Sequence, residues 1–232
     1  TSTPIPQSAG EPYPEGLEFG EKLGTSITSV DLDGDSYSDL VIGAPHFSVD
    51  SFTETGRVVV LFGKHIDNYP KQVDLGRVIP KKLGMSFIGK SMNGLVGEVI
   101  SNIGDINNDG LNELAIGAPK DNSEAGSVYT VFGSRDRYSE RHLDSSGNAF
   151  LLDTTSIDNP YQVFVAPRTT ANNPFGFQLG SSIKGLGDIN NDKKFAIGGD
   201  DAFLGSPNPF WFSEDGEQQS AMASVVWGRP WL

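Results

Sequence analysis

Cysteine is missing from this 232-residue chain, which excludes disulfides and cysteine-ligated zinc. Basic residues are scarce. Seventeen Lys and Arg stand against 30 Asp and Glu, for a net charge of −13. So acidic a surface argues against nucleic acid as a partner, because phosphate binding needs a basic face. No apolar run approaches the ~18 residues of a membrane-crossing helix. No Asn-x-Ser/Thr acceptor for N-glycosylation occurs, and no G-x-S-x-G elbow offers a serine nucleophile. The three His, at 46, 65 and 142, stand singly in connectors. Long stretches free of Gly and Pro are also lacking, since the chain holds 28 Gly and 14 Pro. That composition disfavours long helices and signals many turns and short elements. An apolar fraction of 37%, with 14 Phe, is still enough to build a core.

What is present is a repeat. Leu23 to Pro45 reads LGTSITSVDLDGDSYSDLVIGAP and is followed by GRVVVLFG, Gly56 to Gly63. Val96 to Pro119 reads VGEVISNIGDINNDGLNELAIGAP and is followed by GSVYTVFG, Gly126 to Gly133. Leu179 to Asp200 reads LGSSIKGLGDINNDKKFAIGGD and is followed by ASVVWG, Ala223 to Gly228. In each unit a short strand leads to an Asp (Asp31, Asp105, Asp188), then an acidic loop, then an apolar strand (DLVIGAP, ELAIGAP, FAIGG) broken by Gly or Pro. A third strand ends in an aromatic–Gly pair. A fourth is expected at GMSFIGK (84–90) and at NAFLLD (148–153), while the third unit stops after its third strand. Four short strands per unit at this spacing predict an all-β fold of propeller blades.

These residues resemble the FG-GAP repeats of integrin α-subunits. Phe19–Gly20 and Phe175–Gly176 match the FG element, and Gly43-Ala44-Pro45 and Gly117-Ala118-Pro119 match GAP. The second unit has Asn93–Gly94 in place of FG, and the third has Gly198-Gly199-Asp200 in place of GAP. The resemblance implies a β-propeller of FG-GAP type over residues 17–228, with about three four-stranded blades (about 17–90, 91–153 and 154–232) behind a Pro-rich N-terminal tether, 1–16. Three blades cannot close a ring, so further blades or a protein partner are expected to complete it.

The loops between first and second strands are candidate metal sites. DLDGDSYSD offers Asp31, Asp33, Asp35, the Tyr37 carbonyl and Asp39. DINNDGLNE offers Asp105, Asn107, Asp109, the Leu111 carbonyl and Glu113. Alternating oxygen ligands on a tight turn suit Ca²⁺, which takes six to eight oxygens; Mg²⁺ prefers to keep its waters. An EF-hand needs flanking helices and a Glu at its twelfth position, where this chain has Ile42 and Ile116. The third loop keeps Asp188, Asn190 and Asp192, but Lys193 and Lys194 follow. On this reading it lacks both the turn Gly and the ninth-position carboxylate, so weak or absent binding is expected there. GMSFIGKS (84–91) matches a phosphate-loop pattern but lacks its helix, and reads as an outer strand.

Residues 153–174 and 200–222 read as long irregular loops on the face opposite the metal. The second of these carries Phe210, Trp211 and Phe212, a candidate partner-binding cluster; in integrin α-subunits the corresponding face binds ligand. The expected function is a non-catalytic, calcium-stabilised, extracytoplasmic binding or adhesion module (secreted, cell-surface or lumenal) for a protein or glycan partner. The alternatives are a structural subunit of a larger assembly, and the propeller of a secreted carbohydrate-active enzyme or lectin.

Overall fold

The computed structural model describes residues 21–49, 51–64, 73, 75, 83–135, 149–152, 161–165, 176–191, 201–205, 211–212, 218–219 and 223–226. The architecture is all-β. Sheet one runs through β1 (Ser26–Val30), β2 (Asp39–Ala44), β3 (Arg57–Leu61) and β4 (Gly84–Gly89), each antiparallel to the next. Sheet two repeats this with β5 (Val99–Gly104), β6 (Glu113–Ala118) and β7 (Ser127–Val131). The Val-rich sequences of β3 (RVVVL) and β7 (SVYTV) suit a pleat buried on both faces, and every residue of both strands is buried.

Two outer strands depart from the expected order. The fourth place in sheet two belongs to β9 (Tyr161–Val165), antiparallel to β7. The expected fourth strand at 148–153 instead supplies β8 (Phe150–Leu152), which pairs parallel to β4 and makes sheet one five-stranded. The Phe150 ring lies 5.5 Å from that of Phe87, and the Tyr161 ring stands edge-on to Tyr129 at 5.6 Å. β8 thus covers the backbone edge that β4 would otherwise present.

Sheet three contains β10 (Ser182–Gly187), β11 (Asp201–Gly205) and β14 (Ala223–Val226). Its middle strand is therefore not FAIGG at 195–199, as the repeat alignment has it, but DAFLG. Gly187 pairs with Asp201 across an irregularity after Gly185, as Gly104 pairs with Glu113 across one after Asn102. By that register DAFLGSP (201–207) is the counterpart of DLVIGAP and ELAIGAP. Nor is 200–222 a single irregular loop, because β12 (Trp211–Phe212) and β13 (Gln218–Gln219) pair as a short hairpin.

The core lies between sheets. Val41, Val58, Val60 and Phe87 of sheet one pack against Leu114, Ile116 and Tyr129 of sheet two. On the other face of sheet two, Ala115 and Val128 pack against Ile183, Ala202 and Leu204 of sheet three. Side chains alternate across a strand, so β6 sends Leu114 and Ile116 to sheet one and Ala115 to sheet three. Polar contacts bind the same junction, with Ser26 Oγ donating to Gly97 O (2.7 Å) and Asn102 Nδ2 to Ser29 O (3.2 Å).

Candidate metal centre

The turn between β1 and β2 is held by its own carboxylates. Asp31 accepts from the backbone N–H of Gly34 (2.8 Å) and Ser36 (3.0 Å). Asp33 accepts from Asp35 N (3.2 Å), and Asp35 from Tyr37 N (2.9 Å). Asp39, the first residue of β2, accepts from Leu32 N (2.9 Å) and Gly63 N (2.8 Å). The turn between β5 and β6 repeats most of the scheme. Asp105 accepts from Asp109 N and Gly110 N (both 3.0 Å), and Asn107 Oδ1 from Asp109 N (3.0 Å). Asp109 accepts from Leu111 N (2.8 Å), and Glu113 from Ile106 N (2.7 Å) and Gly133 N (3.4 Å).

The aromatic–Gly pairs Phe62–Gly63 and Phe132–Gly133 seat against these loops, where a Cβ on Gly63 would meet Ser38 O and one on Gly133 would meet Leu111 Cβ and Asn112 O. The N–H of Gly63 and of Gly133 meets the ninth-position carboxylate, while Phe62 is buried in the core. Sequence reasoning missed this role for both glycines. The available signal was the recurrence of Phe-Gly after both apolar strands.

Glycine is needed less than the sequence suggested. The fourth loop position is left-handed in all three units, at Gly34 (φ 70°), Asn108 (φ 59°) and Asn191 (φ 59°). The sixth is Ser36 (φ 72°) in the first loop and Gly110 (φ 86°) in the second. Asn tolerates this region better than most side chains and Ser36 adopts it at the sixth position, so a missing sixth-position Gly does not disqualify the third loop.

In the first loop, carboxylate oxygens of Asp31, Asp33 and Asp39 lie within 4.8 Å of one another. Asp35 is outside that group, and the second loop forms no equivalent cluster of three acidic side chains among the described residues. Asp33 is 5% exposed, and Asp39 and Glu113 are 0% exposed. Burial, opposed by backbone hydrogen bonds and reinforced by the Asp33 and Asp31 charges, raises the Asp39 pKa to about 6. Burial, with smaller contributions from Asp109 and Asp105, raises that of Glu113 to about 8. Like charges gathered in a desolvated turn cannot all ionise without a counterion. An all-oxygen donor set suits a hard cation and not zinc or copper.

In the third loop Asp188 and Asn190 are described, and Asp192 lies outside the described residues. The register gives this loop a ninth-position equivalent that the repeat alignment denied it, namely Asp201 opposite Gly187, matching Glu113 opposite Gly104. Five more residues separate Asp188 from Asp201 (13 steps) than Asp105 from Glu113 (8 steps). Of the aromatic cluster, Trp211 and Phe212 form β12, and Phe210 lies outside the described residues.

The FG-GAP repeat family model matches residues 23–61 and 97–131, two stretches that each contain an acidic loop and its flanking strands. This chain carries FG-GAP repeats. It is 31% identical over 193 residues to integrin alpha-PS3 of Drosophila melanogaster, which is 81% of this chain and 14% of that protein. It is 36% identical over 118 residues to the human phosphatidylinositol-glycan-specific phospholipase D, 49% of this chain and 14% of that protein. Integrin alpha-4 of Xenopus laevis is 32% identical over 123 residues, 53% of this chain and 11% of that protein. The matches thus span about one-seventh or less of these relatives' lengths.

The GAP glycine of these repeats has a steric cause. A Cβ on Gly43 would collide with the carbonyl oxygen of Gly97, and one on Gly117 with that of Gly180. The next unit's backbone therefore crosses each middle strand at its GAP glycine. The crossing is pinned by parallel bridges, Gly56 to Val96 and Gly126 to Leu179. Phe19–Gly20 and Phe175 lie outside the described residues, while Gly176 is buried against Glu124 O. The phosphate-loop match falls on β4 and the turn after it, with no helix following.

Proposed function

We propose that this chain is a non-catalytic, extracytoplasmic binding module built as part of a β-propeller and stiffened by Ca²⁺. The observation that carries the proposal is the self-repelling set Asp31, Asp33 and Asp39, the last two buried and the first partly so, on a turn that offers only oxygen. Asp31, Asp33, Asp35, the Tyr37 carbonyl and Asp39 would hold one ion. Asp105, Asn107, Asp109, the Leu111 carbonyl and Glu113 would hold a second. Calcium there neutralises the carboxylates and ties the start of each second strand to its loop, leaving the opposite loops free to present contacts to a protein or glycan. Similarity to two integrin α chains supports adhesion or partner binding, and similarity to a phospholipase D covers only half of this chain. Among the described residues no helix is long and apolar enough to cross a membrane.

The test is thermal melting in calcium and in chelator. Sites with dissociation constants of roughly 10⁻⁴–10⁻³ M add about 1.4–2.7 kcal/mol each in ~10 mM calcium. Asp33→Ala and Asp109→Ala should each remove part of that response. Identical melting in calcium and chelator would refute the metal assignment.

A second reading, a structural subunit within a larger assembly, is favoured by one observation. Ile27 and Leu40 are 63% and 42% exposed on one side of sheet one. The mass and stoichiometry of the native particle separate the two readings. A free monomer that still binds its partner favours the first, and stable co-purification in fixed ratio favours the second.

A further inference from the structure

At the end of the strands opposite the acidic loops, two turns enclose a cleft of about 450 Å³. One turn leads from β4 into β5 and the other from β6 into β7. Since β5 ends and β6 begins at an acidic loop, both turns lie at the far end of sheet two. The volume falls within the roughly 300–1,000 Å³ of small-molecule sites. Ser91, Asn93, Lys120, Asn122, Ser123 and Glu124 line it.

The walls are held in a conformation that ordinary residues avoid. Asn93 (φ 57°) is left-handed on one side, and Asn122 (φ 53°), Ser123 (φ 61°) and Glu124 (φ 65°) are left-handed in succession on the other. L-residues rarely enter this region, and runs of three are rarer still. The surroundings enforce it. Asp121 is 1% exposed and accepts from Tyr129 Oη at 2.5 Å and from Asn122 N at 2.7 Å. Gly126 N donates to Asp121 O (3.0 Å), and Ala125 is buried against Phe177. On the facing wall Asn93 N donates to Thr53 O (2.9 Å) and Leu95 N to Glu54 O (3.2 Å). Asn122, Ser123 and Glu124 contribute nothing to the apolar core. Strain fixed by a buried anchor, in residues that line a cleft and not the core, is characteristic of a functional site.

The lining chemistry narrows the ligand. The lining residues bring two hydroxyls, two amides, one ammonium and two carboxylates, a formal charge of −1; the Asp121 carboxylate is buried and taken up by Tyr129 Oη and Asn122 N, and Met92 is the single apolar residue. Such a set has no surface for a fatty chain and no positive excess for a polyanion. It mixes donors and acceptors, as sugar hydroxyls do. We propose that the cleft binds a neutral polyhydroxylated ligand, one or two sugar units of a glycan. This rests on reading the chain as a binding module, yet it needs no metal in the cleft.

The test uses the ¹⁵N-labelled 232-residue chain in calcium buffer, titrated with methyl glycosides of neutral hexoses and N-acetylhexosamines. Saturable shifts are expected at the side-chain amides of Asn93 and Asn122. Asn122→Gly removes an amide while accepting the left-handed backbone, and should weaken binding by about tenfold without lowering the melting temperature. Ser123→Trp should abolish binding by filling the cleft. Absence of shifts with every sugar, shifts that survive both substitutions, or a response to short peptides and not to sugars would overturn the inference. A silent cleft in a protein that still melts higher in calcium overturns this inference while leaving the module reading intact. Loss of the calcium response with sugar shifts retained overturns the metal assignment and leaves this inference standing.

Discussion

Sheets one and two carry the same repeat, but the same positions meet different surroundings. Leu114 and Ile116, which follow Glu113 in β6, are 0% exposed because sheet one lies on them. Leu40, which follows Asp39 in β2, is 42% exposed, Ile42 is half-buried, and Ile27 on the adjoining strand is 63% exposed. Sheet three repeats the covered case, with Ala202 and Leu204 buried against sheet two. The apolar pattern of one unit is thus written for a neighbour on each side. The unit of folding is a stack and not a sheet, which is why an FG-GAP repeat has little meaning as a single copy.

That contrast yields the largest expected effect. Leu114→Ala should destabilise by about 2–5 kcal/mol, the usual cost of emptying a packed leucine site. Leu40→Ala at the equivalent position should cost no more than about 0.5–1 kcal/mol. Chemical denaturation of the two variants measures the difference directly. Equal costs would mean that something covers sheet one in solution, and its removal by dilution or truncation would then be the next measurement.

The junction itself supplies the next effect. Gly43→Ala places a methyl on the Gly97 carbonyl, and backbone cannot yield as a side chain can. A cost of about 1–3 kcal/mol is expected, in line with overpacking elsewhere. Gly110→Ala meets nothing within 4 Å and pays only for its φ of 86°, about 1–2 kcal/mol. If Gly110→Ala proved the more damaging, the crossing of one unit by the next would not be what fixes GAP.

The two acidic loops differ in the pH range over which they act. Asp39 has its pKa raised from 3.8 to about 6, and Glu113 from 4.5 to about 8. In chelator the native state therefore holds protons that the unfolded chain has released. The stability this contributes is fully present below the unfolded pKa and is lost as pH rises through the folded one. The slope is at most about 1.4 kcal/mol per pH unit for each group. Asp39→Asn should flatten the stability curve only below pH ~6, and Glu113→Gln should also flatten it between pH ~6 and ~8. Calcium requires the ionised carboxylates, so the calcium-minus-chelator gap should widen over the same range. A metal-free protein whose stability rises from pH 5 to 8 would contradict the raised pKa of both groups.

Much of this was legible in the chain. The first three strands of units one and two, both complete acidic loops and the GAP breaks follow from period-two apolar runs punctuated by Gly, Pro and Asp. The misreadings share one cause. FAIGG is as apolar as ELAIG, so composition alone could not tell which apolar segment forms the middle strand of sheet three. The register decides it, because a carboxylate must open that strand, and Asp201 does. NAFLLD has the pattern of a strand, but a pattern does not name its partner. The contacts of Phe150 with Phe87 assign it to sheet one, a tertiary choice that overrides sequence order. The β12–β13 hairpin was missed because its strands are only two residues long.

The smallest effect concerns the third loop, which is expected to hold less calcium than the other two. The missing ninth carboxylate no longer supports that view, since Asp201 stands in the register of Glu113. What remains is length and charge. The span from Asp188 to Asp201 is 13 steps, against 8 in the other loops, and Lys193 and Lys194 fall within it. Closing the longer loop costs only about 0.4 kcal/mol more by chain entropy, roughly a twofold loss of affinity. Two nearby ammonium groups add repulsion that salt would partly screen. A lanthanide-soaked crystal should therefore show strong density near Asp33 and Asp109, and weaker density near Asp188. Deleting residues 193–197 restores the 8-step spacing and removes both lysines, so it should raise the third site towards the other two. Lys193→Gln with Lys194→Gln removes charge at constant length, and comparing the two variants apportions the deficit. Density near Asp188 equal to that near Asp109 in the unaltered chain would show that neither length nor charge weakens the site. Weak density persisting after the deletion would show that Asp201, despite its register, is not a ligand.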